Sequence, residues 1–264
     1  DCYAGRIKGS TIRQYMGFIY FFPTMVAGPI KRFQEFTPQV EMARFDPRLA
    51  VQGAARIAIG LVKKHVLSDT FALWSDQLNT QALYTADRFT ILGWVLAYGM
   101  KIYFDFSGYS DIAIGSGNLF GVRIPENFNW PYLSRNIAEF WRRWHISLST
   151  WLRDYLYFPL GGNRKGRLRT YTNLMATMLL GGLWHGASWT FVVWGGLHGL
   201  YLIVERVIRR HWGQSPWAGK WYVRVLLVLL TYYLVCITWV FFRAQDFSTA
   251  VTLLTTMFVG GPDQ

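Results

Sequence analysis

The chain has 264 residues, of which 52% are hydrophobic, 18% are aromatic and only 16% are charged. Soluble domains usually carry about 25% charged residues, so this composition favours a membrane protein. The net charge of +12 is typical of nucleic-acid-binding proteins, but the basic residues lie in short connectors between apolar segments, without a separate basic domain. Membrane topology requires such a distribution, and we therefore expect no nucleic-acid partner.

The mean hydropathy is only +0.16, so the charges must be gathered in loops and interfacial segments. The 13 Trp and 15 Tyr residues fit this arrangement, because their rings prefer the boundary between lipid and water. Cys2 and Cys236 lie far apart in the chain and do not have the spacing of metal ligands. The composition therefore predicts a polytopic membrane protein with short charged connectors.

The first apolar segment, residues 15–30, contains Pro23 and Pro29. Two prolines oppose a straight spanning helix, so we expect a broken or re-entrant segment whose backbone is buried by protein. Residues 49–67 predict a helix that meets an aqueous interface at its end, where three polar residues follow one another: Lys63, Lys64 and His65.

The middle of the chain alternates between a spanning segment and a basic one. Residues 89–106 are long enough to cross a bilayer, and a helical face would bring Lys101 and Asp105 together as an ion pair. Residues 131–170 contain eight basic and only two acidic residues, so we expect this block to stay on the cytoplasmic side.

The last part of the chain predicts a helical hairpin and two further helices. Residues 171–187 would cross outward, a turn would follow at Ser188 and Trp189, and residues 190–208 would return. Residues 221–242 would cross outward again, and residues 246–259 have the pattern of an amphipathic helix on the far surface. The predicted fold class is an all-α polytopic membrane protein.

Residues 140–155 predict one amphipathic helix along the cytoplasmic interface. At 100° per residue, Arg142, Arg143 and Arg153 fall opposite an apolar and aromatic stripe. The stripe consists of Trp141, Trp144, His145, Leu148, Leu152 and Tyr155. His145 lies in its middle, and its spacing alone favours a hydrogen-bonded packing histidine over a catalytic one.

His185 lies among three glycines in the segment GGLWHGASW, residues 181–189. An ionisable residue inside a spanning segment is costly and is by default a functional candidate. The glycines at 181, 182 and 186 remove side-chain bulk, so another backbone or an extended substrate can approach His185 closely. Helix packing through small residues also explains the glycines, with His185 bonded across the interface. The residues alone leave both interpretations open.

The remaining histidines are weaker candidates. His198 repeats the aromatic–glycine–histidine pattern on the other arm of the hairpin, and packing is the favoured interpretation. His65 and His211 adjoin basic residues at helix ends, where we expect them to be solvated. A metal site needs ligands with a known spacing, and the sequence offers none, so no metal is predicted.

Asp105 and Asp111 occur in the segment FDFSGYSD, residues 104–111, which predicts a buried polar turn. Ion pairs with Lys101 and nearby arginines are the favoured role for these carboxylates. Orientation of a histidine is the alternative. The sequence contains neither a Gly-rich phosphate loop after a strand nor a serine nucleophile elbow, which excludes the common nucleotide-binding and serine-hydrolase classes.

Several motifs occur in an order that resembles the bacterial branch of the membrane-bound O-acyltransferase family, above all its alginate- and peptidoglycan-acetylating members. The resemblance covers nearly the whole chain. It rests on FFP (21–23), AGP (27–29), the 105–111 segment, PENF (125–128), PYLS (131–134), the 141–154 segment, LWHG (183–186) and WVFFRA (239–244).

The resemblance implies a ring of tilted spanning helices, with re-entrant and interfacial helices, around a central tunnel. His185 matches the histidine that is taken as catalytic, and His145 matches the second polar tunnel position. Trp184, Asp105, Asp111 and Trp144 are the further tunnel or supporting candidates. No bound cofactor is implied; an acyl donor such as acetyl-CoA would enter from the cytoplasm as a co-substrate. The acceptor would be a hydroxyl of an extracytoplasmic polysaccharide or of an acyl-relay protein.

This chemistry agrees with the residues, because transfer from a thioester to an alcohol needs a base and histidine titrates near neutral pH. We expect His185 to act as the base, and His145 to polarise the carbonyl or to bind the donor. The alternatives are D-alanyl transfer to teichoic acid, a transporter or channel with intramembrane histidines, and a structural scaffold.

The two ends of the sequence lead us to expect a single catalytic core at residues 1–264 that lacks spanning segments on both sides. The bacterial inner membrane is the expected location, with the chain crossing it several times. The sequence leaves the acceptor, the oligomeric state and the role of His198 open.

Overall fold

The computed structural model describes residues 9–78, 86–212 and 219–259, and these residues form helices and connecting loops without a strand. The α-helices within them are α1 (Ile12–Ile19), α2 (Phe22–Met25), α3 (Phe33–Met42), α4 (Pro47–Val62), α5 (Asp69–Ser75), α6 (Arg88–Leu119), α7 (Ile137–Arg143), α8 (Ile146–Leu152), α9 (Gly166–His185), α10 (Trp189–Trp212), α11 (Trp221–Arg243) and α12 (Phe247–Val259). The predicted all-α fold class is confirmed.

The helices group into two compact units. Unit 1 contains Asp1–Asp69, Ile102–Phe128 and His145–Leu148. Unit 2 contains Thr70–Lys101, Asn129–Trp144 and Ser149–Gln264.

Unit 1 is built on aromatic and aliphatic side chains from α1, α3, α6 and the loops that follow α1 and α6. Its buried cluster contains Phe36, Ile114, Val122 and Ile124, with Phe18 and Phe21 packed against it. The predicted break in residues 15–30 is confirmed, since α1 ends at Ile19 and the short α2 begins at Phe22 with a proline in its first turn. Whether this segment is re-entrant stays a prediction.

Helices α4 and α6 pack closely in unit 1 because glycines face each other. A Cβ atom on Gly53 would lie 2.6 Å from the carbonyl oxygen of Gly115, and one on Gly60 would lie 2.6 Å from that of Gly108. The predicted helix end near residue 67 is wrong. At Lys63 the chain changes to a π-helical segment, Lys63–Ser68, and then continues into α5.

The predicted polar turn at residues 105–111 is wrong as well. These residues lie inside α6, which has 32 residues and is therefore about 48 Å long. Gly108 meets Gly60, and Ser107 and Ser110 are buried. The small residues that predict a turn serve a close helix–helix contact instead, because they let α4 approach.

Unit 2 contains the predicted hairpin, which is confirmed: α9 ends at His185 and α10 begins at Trp189. A Cβ atom on Gly182 would lie 2.2 Å from the carbonyl oxygen of Phe191, so this crossing of α9 and α10 requires glycine. Among the described residues, two helices are long and apolar enough to cross a membrane, Trp189–His211 and Trp221–Arg243. The predicted helix at residues 246–259 is confirmed as α12.

The single helix predicted for residues 140–155 is wrong, because the chain breaks between α7 and α8. Trp144 is extended, and His145 has a φ of +42°, in the left-handed region that side chains usually avoid. The backbone N–H of Ile146 donates to the carbonyl of Asn127 instead of continuing the helix (2.9 Å). The predicted faces hold in part: Trp144, Leu148 and Leu152 are buried, and Arg142 and Arg153 are exposed.

Candidate functional site

His185 is the last residue of α9 and lies half-buried among aromatic rings of unit 2. Its ring makes edge-on contacts with Trp184 (5.0 Å between centroids), Trp194 (5.2 Å) and Phe242 (5.2 Å). Within the described part of the chain, its imidazole makes ring contacts and no hydrogen bond. Both ring nitrogens can therefore exchange a proton with a substrate without breaking a hydrogen bond to any described residue.

The glycines around His185 have a packing function. Gly182 lies against the backbone of α10, and a Cβ atom on Gly186 would lie 2.7 Å from the ring of Phe191. The packing interpretation therefore explains Gly182 and Gly186. It does not explain His185, because this side chain forms no hydrogen bond across the helix interface to any described residue.

Trp194 adds a buried hydrogen-bond donor to this aromatic cluster. Its side chain is 2% exposed and stacks on Trp239, with ring centroids 5.7 Å apart. Its Nε1 is buried, and no described residue accepts its proton. An unmet buried donor usually costs about 1–3 kcal/mol, so this N–H is an unusual feature so close to His185.

His198 is fully buried in the same unit, and its hydrogen bonds are satisfied. Trp141 Nε1 donates to His198 Nδ1 (3.3 Å), and His198 Nε2 lies 2.9 Å from Thr238 Oγ1. The Thr238 hydroxyl donates to the carbonyl of Val235 (2.7 Å), so it accepts the proton of Nε2. His198 thus takes the packing role that its sequence context favours.

His145 lies in unit 1 and is 4% exposed. Its Nδ1 is 3.0 Å from Oδ1 of Asn127, and its ring stands edge-on to Phe106, with centroids 4.8 Å apart. The same Oδ1 accepts the hydroxyl proton of Ser147 (2.9 Å). His145 is therefore hydrogen-bonded, as its spacing predicts, but it also has a fixed orientation.

The carboxylates Asp105 and Asp111 are paired with cations of α4 and the adjoining π segment. Asp111 is buried and accepts from Arg56 (2.9 Å) and from Lys63 (2.6 Å), and Asp105 accepts from Lys64. Their predicted role in ion pairs is confirmed with these partners. The expected pair of Lys101 with Asp105 is not the one observed, since Lys101 donates to Asp76 (2.8 Å).

The two tryptophan candidates differ in exposure. Trp144 is 3% exposed in unit 2, where it stacks on Phe140 with ring centroids 5.5 Å apart, and Trp184 is 58% exposed beside His185. Glu139 lies in the adjacent helix α7, where burial alone would raise its pKa. Hydrogen bonds from Arg135 and the charge of Arg143 outweigh this effect of burial, so the pKa of Glu139 is lower than its ordinary value. Trp144 thus belongs to a buried structural layer, and Trp184 is open to a ligand or to lipid.

A basic cavity of about 640 Å³ lies where α9 begins and α10 ends. It is lined by Asn163, Gly166, Arg167, Thr170, Tyr171, Arg206, Arg209 and Arg210. Arg209 donates to Glu205 (2.6 Å), whereas no carboxylate in the described ranges pairs with the other three arginines. The cavity therefore carries a local excess of positive charge that favours an anion.

Sequence reasoning missed the groups that surround the two histidines. Asn127 lies in the PENF motif, which signals a site, but no pattern of spacing connects it with His145. Ser147 and Trp194 each lie near a histidine in the sequence. Nothing in the sequence reveals that Ser147 completes a polar network or that Trp194 has an N–H that no described residue accepts.

Comparison with known proteins agrees with these features. The model of MBOAT, the membrane-bound O-acyltransferase family, matches residues 2–243. The probable alginate O-acetylase AlgI of Azotobacter vinelandii is 43% identical over 264 residues, which is 99% of this chain and 51% of that protein. The peptidoglycan O-acetyltransferase of Helicobacter pylori is 40% identical over 92% of this chain and 46% of its own length.

A more distant relative is the teichoic acid D-alanyltransferase of Streptococcus thermophilus, which is 31% identical over 90% of this chain and 63% of that protein. The chain spans about half the length of the O-acetylating relatives it matches. The family match extends from near the first residue to the end of α11. The chain belongs to the membrane-bound O-acyltransferase family.

Proposed function

We propose that this chain carries the catalytic histidines of a membrane O-acetyltransferase. The enzyme takes an acetyl group from a cytoplasmic donor such as acetyl-CoA and transfers it to a hydroxyl of an extracytoplasmic polysaccharide or of a relay protein. The observation that carries the proposal is His185, a half-buried histidine at a helix end, without a hydrogen bond to any described residue, in a member of an acyltransferase family. Similarity to an alginate O-acetylase and a peptidoglycan O-acetyltransferase supports acetyl as the group and a polysaccharide as the acceptor.

In the proposed reaction a ring nitrogen of His185 accepts the proton of the acceptor hydroxyl. The oxygen then bonds to the acyl carbon, the bond between that carbon and sulfur breaks, and the thiolate leaves and takes up a proton. A positioned general base supplies about 10²–10⁴-fold of rate. Aromatic rings line His185, and the N–H of Trp194, which no described residue accepts, is a candidate donor to the acyl oxygen.

The arginine cavity is the proposed entry point for the donor, because its positive charge attracts phosphate groups. It lies at one end of α9, and His185 lies at the other, about 30 Å away along a 20-residue helix. The arginines are therefore expected to affect donor binding and not the chemical step. A tunnel joining the cytoplasmic and outer faces completes this proposal.

The membrane topology belongs to the same proposal. The basic ends of α9 and α10 lie on the cytoplasmic side of the bacterial inner membrane, and α9, α10 and α11 cross it in alternating directions. His185 then lies toward the outer face, where a polysaccharide or relay protein supplies the hydroxyl. The multi-pass arrangement is supported by the two apolar helices that are long enough to span.

The test measures O-acetylation of the cell-surface polysaccharide in cells that lack their own enzyme and express the full-length protein. The wild type is compared with His185→Ala at equal membrane abundance. Acetylation that depends on His185 supports the proposal. Acetylation that persists in His185→Ala, or a wild type that acetylates no hydroxyl, contradicts it.

D-Alanyl transfer to teichoic acid is the second candidate, because the relative from Streptococcus thermophilus is named for that reaction. Membranes that contain the full-length protein, supplied in turn with labelled acetyl and labelled D-alanyl donors, separate the two. Transfer of the D-alanyl label alone would favour this candidate.

A further inference from the structure

A second cavity of unit 2 lies where α11 ends and α12 begins, and its volume is about 330 Å³. Asp76, which directly follows α5, and Arg243, the last residue of α11, face each other across it. The rest of its lining includes Leu78, Gln245, Thr249 and Leu253. Sites for small molecules usually have volumes of about 300–1,000 Å³, so the cavity can hold a ligand of the size of one sugar unit.

The guanidinium of Arg243 has hydrogen-bonding capacity that the described part of the protein does not use. Its side chain is only 23% exposed, and its charge lies 5.2 Å from the ring centroid of Tyr98. Nη1 is 3.4 Å from Asp76 Oδ1, which is an ion pair but is too long for a good hydrogen bond. No described residue accepts a hydrogen bond from Arg243. Unmet donors on a mostly buried charge are costly, so a ligand that accepts from them is favoured.

Asp76 supplies the complementary acceptor. Lys101 Nζ donates to Asp76 Oδ1 (2.8 Å), and Arg243 contacts the same oxygen. No described residue donates to Oδ2, and the side chain is 52% exposed. A carboxylate only accepts and a guanidinium only donates, whereas a sugar hydroxyl does both. The cavity therefore presents, side by side, the two kinds of group that neighbouring hydroxyls need.

This cavity lies close to His185 because successive residues of α11 contact the two places. The ring of Phe242 stands edge-on to the His185 ring, with centroids 5.2 Å apart, and Arg243 lines the cavity. Cα atoms of successive residues are about 3.8 Å apart. A polymer with one unit at His185 continues beyond it, so a neighbouring unit can reach the cavity.

We propose that Arg243 and Asp76 form an acceptor subsite, which binds a sugar unit of the polysaccharide next to the unit that is acylated at His185. Asp76 Oδ2 accepts from one hydroxyl of that unit, and Arg243 donates to a second oxygen. This inference deepens the proposed function and rests on it. A polysaccharide fits better than a relay protein, because a stable protein interface buries about 800 Å² on each partner and this cavity is small and concave. The subsite sets a preference for a polymer over a single sugar.

The first experiment measures labelled acetyl transfer by the purified full-length enzyme to single sugars and to oligosaccharides released from the cell-surface polysaccharide. The variants are Arg243→Gln and Asp76→Asn. Arg88→Gln is the control, since Arg88 is exposed and also lies against an aromatic ring (5.0 Å) but outside the cavity.

In both cavity variants KM for the oligosaccharides should rise about tenfold, because a hydrogen bond to a charged group is lost. Their kcat and their KM for the donor should stay unchanged. With single sugars the variants, the control and the wild type should have the same KM, because one unit at His185 does not reach the cavity. This second acceptor also shows that the variants are folded.

Equal KM for the oligosaccharides in all four proteins overturns the proposal. An equal loss with single sugars and oligosaccharides overturns it as well, because the substitutions then disturb His185 itself. Impaired transfer to a purified relay protein alone assigns the cavity to a protein partner and overturns the sugar subsite.

The second experiment does not depend on turnover. Calorimetry without donor should show that the oligosaccharides bind the wild-type full-length protein about tenfold more tightly than Arg243→Gln. Equal affinity of the two proteins overturns the subsite even if the enzyme is active. A wild type that binds the oligosaccharides through Arg243 but acetylates none of them contradicts the proposed function and leaves the subsite in place.

Discussion

The two histidines that the sequence offers as catalytic have opposite surroundings. His145, in unit 1, is 4% exposed and hydrogen-bonded to a buried asparagine. His185, in unit 2, is half-buried and surrounded by rings of Trp184, Trp194 and Phe242, without a hydrogen bond to any described residue. One imidazole is therefore held by a hydrogen bond inside the protein, and the other makes no hydrogen bond to any described residue.

The difference shows that the surroundings of a histidine determine which of its ring nitrogens are hydrogen-bonded. A base that must accept a proton benefits from nitrogens without a hydrogen bond, and His185 has none to any residue in the described ranges. A histidine that must keep one orientation benefits from a fixed partner, and this describes His145, whose Nδ1 faces Asn127 Oδ1. His198 is the third case, in which both nitrogens are bonded and the histidine is structural.

The largest expected effect is that of His185→Ala on transfer. The rate should fall by about 10²–10⁴-fold, because the proposed base is lost, while the thermal unfolding temperature stays within a few degrees of the wild type. Labelled acetyl transfer by purified full-length protein measures it. His65→Ala is the matched control, since His65 is 61% exposed in the π-helical segment Lys63–Ser68, and it should keep full activity. A similar loss in both variants would contradict the assignment.

His198→Ala should have the opposite signature. Removing this buried ring leaves a cavity and an unpartnered Trp141 N–H, which together cost about 2–4 kcal/mol of unfolding free energy. The midpoint of unfolding in detergent should fall clearly, and kcat per folded molecule should change little. A normal midpoint with lost kcat would instead give His198 a catalytic role.

The arginine cavity provides a smaller effect on binding. The double variant Arg167→Gln and Arg210→Gln should raise KM for the donor by about tenfold at unchanged kcat, because charge-assisted bonds to phosphate are lost. The dependence of KM on salt should also become weaker. Arg224→Gln, an exposed arginine outside the cavity, is the control. An unchanged KM in the double variant would separate the cavity from donor binding.

Lys31 gives the smallest effect and depends on pH. Burial lowers its pKa from 10.5 to about 8, against the favourable contacts of its ammonium with Phe18 and Phe36. The unfolded chain binds more protons between these values, so stability rises with pH from about 8 to 10.5. Relative to Lys31→Met, the wild type should gain about 1–2 kcal/mol over this range after allowance for partial exposure. Unfolding of both proteins at pH 7.5 and pH 10 checks the sign, and an unchanged difference would contradict it.

Several features of the molecule could be predicted because they depend on local properties of the chain. Apolar length, charged connectors and the turn at Ser188 and Trp189 predict the helical hairpin, and all of these act within a few residues. The pairing of Asp105 and Asp111 with cations could be predicted in kind but not in partner. The identity of Arg56, Lys63 and Lys64 as partners depends on how α4 packs on α6.

The sequence by itself determined the helical class, the apolar helices long enough to cross a membrane, the family and the histidines to consider. Only the tertiary structure decided what surrounds each histidine, because those contacts join residues far apart in the chain. The predicted helix is interrupted at His145 because Asn127 accepts a hydrogen bond from the backbone N–H of Ile146 and makes another with the His145 ring. A continuous helix would provide neither bond. Ser107 and Gly108 lie in a helix because glycines on α4 allow α4 and α6 to approach each other closely. Local helix propensity does not encode this contact between helices.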